Sequence, residues 1–312
     1  MKRRPLRAVR RTLRRTVTRT RSVLLRRVFL PWRKDRAAVL RYAAVLDGQT
    51  VNLHARLPRW ARPDERARIE LRRRGRRHTA AARVYADHDG GIVMDAAILL
   101  GADVGGLPLR TGRWKIRLRL RKGLRRRALS LVLLDMPEPY GGPTRPMAAS
   151  AVTGARYRLG RGVTGSARVT FTPPQPAAEV VRVQVSHSAL EIAFRVVGGE
   201  PRAPWAEFVA SGRRFEAEVD ALGDGLWQVL APLHLMTPHR DRPEQWDVLL
   251  CSDNLRDLRL GRRLHDVRNP KRVFAMRESA VTPVGLTPML VLPRYTPAGN
   301  FRIQCSQMTE AA

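Results

Sequence analysis

The side chains of this chain that could do chemistry are few and scattered. Seven histidines (His54, His78, His88, His187, His234, His239 and His265) include no pair at the spacing of zinc ligands on a helix, and Cys251 and Cys305 form no C-x-x-C. Each cysteine sits in an apolar, strand-like run, VLLCS or FRIQC, which suits a small buried hydrophobe in a reducing compartment and leaves open one late disulfide. Asp87-His88-Asp89-Gly90-Gly91 has the composition of an acidic site, but Gly223-Asp224-Gly225 occupies the matching place later in the chain. What the two share is turn-forming ability, so a hairpin turn is expected. Asp253 and Asp257 could pair as carboxylates, though they are better placed to flank a hairpin leading into Leu258-Arg259-Leu260-Gly261. His234, inside the apolar run LAPLHLM, is expected to be a sheet residue. GSARV and SHSAL are not nucleophile elbows, and no glycine-rich phosphate loop precedes a helix. Trp60, Trp114, Trp205, Trp227 and Trp246 could stack on sugars or bases, but Trp114 and Trp246 recur between two halves of the chain and so belong to its core. No catalytic residue, cofactor or metal ligand is therefore expected.

Charge says more than motifs. The 312 residues hold 59 Lys and Arg against 27 Asp and Glu, a formal net charge of +32, and all but Lys2, Lys34, Lys115, Lys122 and Lys271 of the cations are arginine. A field of this size selects polyanionic partners: nucleic acid, an anionic membrane face or a phosphate-rich polymer. A hydrophobic content of 44% is enough for packed cores, and the length suits about two domains. No run approaches the ~18 apolar residues of a membrane span. VLLRRVFL is interrupted by Arg26 and Arg27 and reads as no cleavable signal, so the expected location is cytoplasmic, peripheral to the inner face of the plasma membrane.

Residues 1–36 are expected to form a basic amphipathic helix. Leu6, Val9, Leu13, Val17, Thr20, Leu24 and Val28 follow one helical face, Pro5 can open the helix and Pro31 close it, and the other faces are nearly all arginine. An anionic membrane surface would relieve the self-repulsion and bury the stripe, with Phe29 and Trp32 at headgroup level. Packing on a partner protein and an RNA-binding arm are the other readings of this segment.

Beyond residue 36 the chain repeats itself. VLRYAAVLDGQTVNLHARL (39–57) matches VVRVQVSHSALEIAFRVV (180–197), with Arg41 on Arg182 and Val51-Asn52-Leu53 on Leu190-Glu191-Ile192. Glu70-Leu71 and Gly75 match Glu207-Phe208 and Gly212, and Trp114 matches Trp246, in conserved order. Short strands with turn signals about every ten residues predict an all-β protein of two tandem immunoglobulin-like β-sandwiches, 37–176 and 177–312, joined at TPPQPAA (172–178). MPEPYGGPTRP (136–146) is a loop special to the first copy. Trp114, Ile116, Leu118 and Leu120 alternate with Lys115, Arg117, Arg119 and Arg121, the period of a half-buried strand. Those four cations, with Lys122, Arg125, Arg126 and Arg127 around the following turn, form the candidate polyanion patch.

Trp246-Asp247-Val248, Arg259-Leu260-Gly261 and Tyr295-Thr296-Pro297-Ala298-Gly299-Asn300-Phe301 resemble the closing pattern of the accessory β-sandwich modules of Gram-positive wall teichoic acid glycosyltransferases and glycerophosphotransferases. The first copy keeps Trp114 and Tyr157-Arg158-Leu159-Gly160 but lacks the Tyr-Thr-x-x-Gly-Asn segment. The resemblance implies modules that oligomerise a transferase domain or hold its polyanionic acceptor. Its one D-x-D spacing, Asp87-His88-Asp89, falls in the segment expected to be a hairpin turn, and the chain shows no nucleotide-binding half. The expected partners are therefore an anionic membrane, a phosphate-rich polymer or a wall-polymer transferase, and a second copy of the chain. Nucleic acid is the alternative, and an unrecognised transferase activity the third reading.

Overall fold

A computed structural model describes residues 35–63, 65–134, 144–238, 242–268 and 270–308; of Lys271 and Arg272 it describes the backbone. The segment expected to form an N-terminal helix, with its stripe residues, and most of the 136–146 loop lie outside the described residues. The chain divides into two compact units, with the main break between Pro173 and Pro174; the short stretches 144–145 and 151–154 group with the second unit.

Both units are β-sandwiches. The first contains β1 (Ala37–Val45), β2 (Thr50–Arg56), β3 (Arg66–Arg73), β4 (Arg76–Ala86), β5 (Ile92–Leu99), β6 (Gly112–Lys122), β7 (Arg125–Val132), β8 (Arg156–Arg161) and β9 (Ala167–Thr172). The hydrogen-bonded order is β3-β4-β5-β2-β1-β7-β6-β9-β8, and β3 also pairs with β6, so the first seven strands close on themselves. The long strand β4 makes this possible by pairing first with β3, through Ala82, and then with β5 from Arg83 on. β1 runs parallel to β7 and antiparallel to β2, an immunoglobulin-like arrangement.

The second unit contains β10 (Ala177–Val185), β11 (Leu190–Val197), β12 (Trp205–Ala210), β13 (Arg213–Gly223), β14 (Leu226–Leu230), β15 (Glu244–Cys251), β16 (Leu258–Arg262), β17 (Ser279–Val281), β18 (Met289–Tyr295) and β19 (Phe301–Gln307). Its order, β12-β13-β14-β11-β10-β16-β15-β19-β18-β17 with an added β12–β15 pairing, is that of the first unit strand for strand, plus one edge strand.

Register fixes which residues correspond. Leu71 pairs with Ile116 as Phe208 pairs with Val248, and Trp114 pairs with Val169 as Trp246 pairs with Ile303. Both tryptophans are fully buried. His78 tilts against Trp114 and Phe215 stacks on Trp246, again from matching places on β4 and β13. Gly75 and Gly212 make the same turn, each at φ +79°, where a side chain would be strained. One sequence match shifts by a residue. β1 bulges between Leu40 and Tyr42, and β10 between Val180 and Arg182, so Arg41 corresponds to Val181 and Tyr42 to Arg182.

His234 is not a sheet residue. Pro232 breaks the strand, and His234 stands exposed in a short 3-10 turn, Leu233–Leu235, with Leu233 buried beside it. The Asp87–Gly91 segment is a hairpin turn, closed by Asp87 N–H to the Gly91 carbonyl at 2.7 Å.

Both cysteines are free and buried, and burial pushes each thiol up to about 12. At pH 8 the thiolate fraction is then about one in ten thousand. In the folded protein neither cysteine will react with a disulfide reagent at pH 8 within minutes, whereas both will react in denaturant; rapid labelling of either in the native state would contradict this burial.

Candidate polyanion-binding face

Strand alternation puts the apolar residues of β6 into the core and its odd-numbered residues on the outside. Trp114, Ile116, Leu118 and Leu120 are buried, so Arg113, Lys115, Arg117, Arg119 and Arg121 line the outer face. What the sequence did not reveal is who stands beside them. β3 lies along one edge of β6 and places Arg66 opposite Arg121, Arg68 opposite Arg119, Glu70 opposite Arg117 and Arg72 opposite Lys115. On the other side Arg126 of β7 faces Arg121, and Arg168 of β9 faces Lys115. One row beyond β3, Arg77 of β4 faces Arg72. The result is a cross-strand field of guanidinium groups drawn from several neighbouring strands.

Of the cations expected in this patch, Lys115, Arg117, Arg119, Arg121 and Arg126 share the face. Lys122, Arg125 and Arg127 do not, because alternation turns them to the other side of the hairpin; Arg127 lies over the Trp60 ring at 4.2 Å. The residues that sequence reading missed are Arg66, Arg68, Arg72, Arg77, Arg113 and Arg168.

Directly opposed like charges destabilise a sheet, by roughly 0.2–1 kcal/mol per pair. Here a single carboxylate offsets them: Glu70, 2% exposed, accepts from Arg119 Nε at 3.2 Å and Nη2 at 3.3 Å. The Nε atoms of Arg117 and Arg168 are buried without a hydrogen-bond partner. Arginine forks on the outer face of a sheet can take a phosphate in a bidentate grip.

The second sandwich shows what the same face looks like when it is neutralised. Asp247 stands at the place of Lys115, Leu249 at that of Arg117, Cys251 at that of Arg119, Val209 at that of Arg72 and Trp205 at that of Arg68. Asp247 is held by Arg302 at 2.5 Å and Arg259 at 3.1 Å, and Glu207 by Arg214 at 3.3 Å. Beyond residue 36 the contrast persists: residues 37–173 hold 27 Lys and Arg against 10 Asp and Glu, and residues 174–312 hold 17 against 16.

Comparison with known proteins gives only weak likenesses. No family model and no curated protein matches the chain. Among solved structures, S. aureus TarS is similar at 10% identity and a TM-score of 0.33, over 72% of this chain and 39% of that one. The structure of S. aureus TarS 217–571 gives the same identity and TM-score over 62% of its length. A tetra-tandem repeat in the extending region of a large adhesion protein is similar at 13% identity and a TM-score of 0.23, over 88% of this chain and 63% of that one. At these scores the likeness assigns no function, and the chain spans about two fifths of the first protein.

The segments that carried the sequence resemblance do a structural job. The Tyr295–Phe301 turn is closed by Thr296 N–H to the Asn300 carbonyl at 2.8 Å, and docks on β16 through the Arg262 N–H to Gly299 carbonyl bond at 2.8 Å. Arg262, over the Tyr295 ring at 5.6 Å, forms with Tyr295, Phe274 and Met276 part of the wall of a depression of about 520 Å³.

One further cluster escaped the sequence. On the outer face of β2, β5 and β4, Asp95 accepts from the Tyr85 hydroxyl at 2.5 Å and contacts His54 Nδ1 at 2.5 Å. Burial alone would raise the Asp95 carboxyl; the bonds from Tyr85 and His54 outweigh it and hold the group below the usual carboxylate range. An Asp-oriented imidazole is the beginning of a general base, but this one lies in an open cross-strand row, Tyr42-His54-Asp95-Arg83, and Asp95 is 45% exposed. It ties three strands together. Among the described residues, no three His, Cys, Asp or Glu side chains come together so as to hold a metal ion.

Proposed function

We propose that the chain is a non-catalytic binding protein whose first sandwich holds a phosphate-rich linear polymer against the outer face of β4, β3, β6 and β7. We place it at the cytoplasmic membrane face, in wall-polymer synthesis of the teichoic-acid type, where it presents polymer to, or stands beside, a transferase. The observation that carries the binding reading is the divergence between equivalent faces. Two copies of one sandwich keep the same core, and one has filled its outer face with arginine in large excess over carboxylate while the other pairs its charges internally. Fold maintenance gives no reason for that difference; an anionic ligand does. The wall-polymer setting rests on the sequence resemblance. Outward residues repeat along a strand at about 6.8 Å, the scale of one alditol phosphate unit, so successive phosphates can meet successive arginines without any base being read.

Nucleic acid is the competing polyanion. Single strands are bound by stacking bases on aromatic side chains as well as by phosphate contacts; the outward residues of β3, β6, β7 and the part of β4 beside β3 are Arg, Lys, Glu, Thr, Ser and Ala, and Tyr85 lies farther along β4, where it pairs with β5. Titration of poly(glycerol phosphate) and of a single-stranded oligonucleotide of equal charge, at varied salt, separates the two. Replacing Arg68 and Arg72 with Gln will weaken polymer binding about tenfold near physiological salt and flatten the log–log salt slope by about 1.5, by analogy with nucleic acids. Tighter binding of the oligonucleotide would move the reading to nucleic acid, and an unchanged slope in the double variant would remove this face from the site.

A further inference from the structure

We propose that the tip of the β6–β7 hairpin inserts into an anionic lipid surface, with Leu124 entering the acyl boundary and the surrounding cations seated among headgroups. The turn is short: Gly123, at φ +55°, and Leu124 alone connect the two strands. Leu124 is 96% exposed, and it is flanked by Arg121, Lys122, Arg125, Arg126 and Arg127, all exposed. Arg121 Nε bonds back to the Gly123 carbonyl at 3.0 Å, which holds its guanidinium at the tip. A lone exposed leucine is ordinary on a protein surface. One set at the apex of a two-residue hairpin turn, with cations on both sides, is placed to enter an anionic surface.

Neighbouring segments reinforce the same end. The loop from Pro58 to Arg66 lies beside the tip, since Arg66 pairs with Arg121, and it exposes Arg59 and Arg62. Trp60 donates from Nε1 to the Asp35 carbonyl at 3.2 Å, and Ser130 N–H donates to the Arg36 carbonyl at 3.0 Å. The chain therefore enters the first sandwich alongside β7 and from the tip side. The sequence that precedes this entry point, residues 1–34, contributes 14 Lys and Arg and no Asp or Glu. A second dense cationic stretch is thus tethered to the end of the domain that carries the tip.

The leucine discriminates between lipid and a soluble polyanion. A soluble polymer offers phosphate to the arginines and nothing to Leu124, whereas a bilayer satisfies both: apolar area leaves water, and each cation near an anionic leaflet adds affinity. No described helix is long and apolar enough to cross a membrane. The proposal goes beyond polymer binding and uses a residue that the polymer face does not.

The test uses the full chain and vesicles of equal parts phosphatidylglycerol and phosphatidylcholine. Leu124→Ser will bind them about tenfold more weakly near physiological salt, while poly(glycerol phosphate) binding stays as in the parent. Leu124→Trp will bind as the parent does, and brominated lipid will quench its added emission. The site is exposed, so neither change disturbs packing. Equal vesicle binding by parent and Leu124→Ser, or an added indole emission in Leu124→Trp that is indifferent to brominated lipid, would overturn the proposal. Failure of polymer binding is a separate outcome, read from Arg68→Gln with Arg72→Gln.

Discussion

Truncating Trp114 to Ala will cost the first sandwich about 3–5 kcal/mol, and Trp246→Ala will cost the second a similar amount. Each indole is fully buried at the centre of its core, where β6 or β15 passes between β3 or β12 and the closing hairpin. The two differ in one atom's circumstances. Trp114 Nε1 donates to the Arg110 carbonyl at 2.8 Å, whereas Trp246 Nε1 is buried without a hydrogen-bond partner. Replacement by Phe therefore removes a hydrogen bond in the first copy and an unsatisfied donor in the second. Trp114→Phe will be the more costly by about 1 kcal/mol. Urea unfolding followed by circular dichroism reads these differences, and equal costs for the two Phe variants would refute the hydrogen-bond account.

The core was legible because burial preserves residue type. Trp114 and Trp246, Glu70 and Glu207, and Gly75 and Gly212 match in the sequence, the tryptophans and acids being buried and the glycines at positive φ. Arg41 and Arg182 looked like a match for a different reason. Both are surface arginines in an arginine-rich chain, and the bulge that offsets them leaves no mark in the letters. β6 could be read as a strand from its alternation alone. Its neighbours could not, because the pairing of β3 with β6 joins segments about fifty residues apart in the sequence. Arg66, Arg68 and Arg72 therefore looked like an ordinary basic stretch until pairing set them beside Lys115, Arg119 and Arg121. The same limit hid the His54–Asp95–Tyr85 cluster, whose members come from three strands. His234 misled through composition: its apolar neighbours signal burial but not strand geometry, and Pro232 directs the chain into a turn.

Glu70 links the stability of the first sandwich to its charge. It is the carboxylate that sits within the arginine field, and the match with Glu207 shows that an acid at this point belongs to both copies. Its partner does not. In the second copy Cys251 occupies the place of Arg119, and Arg214 of the adjoining strand reaches the acid instead. Arg119 is thus held by the fold as well as by any ligand, which makes it a poor choice for a binding test. Arg119→Ala will destabilise the protein by about 2–3 kcal/mol, less than the ~3–5 of a fully buried pair because the arginine side chain is 43% exposed. Adding Glu70→Gln to that variant will recover a substantial part of the loss, since a buried amide without its ion pair costs far less than a buried carboxylate. Glu70→Gln alone leaves the field without its counterion, so it will lose some stability and bind poly(glycerol phosphate) several-fold more tightly. A double-mutant cycle in urea measures the coupling. If the double variant is as unstable as the two single losses added together, Glu70 and Arg119 are independent, and the view of Glu70 as internal counterion to the polyanion face falls with that result.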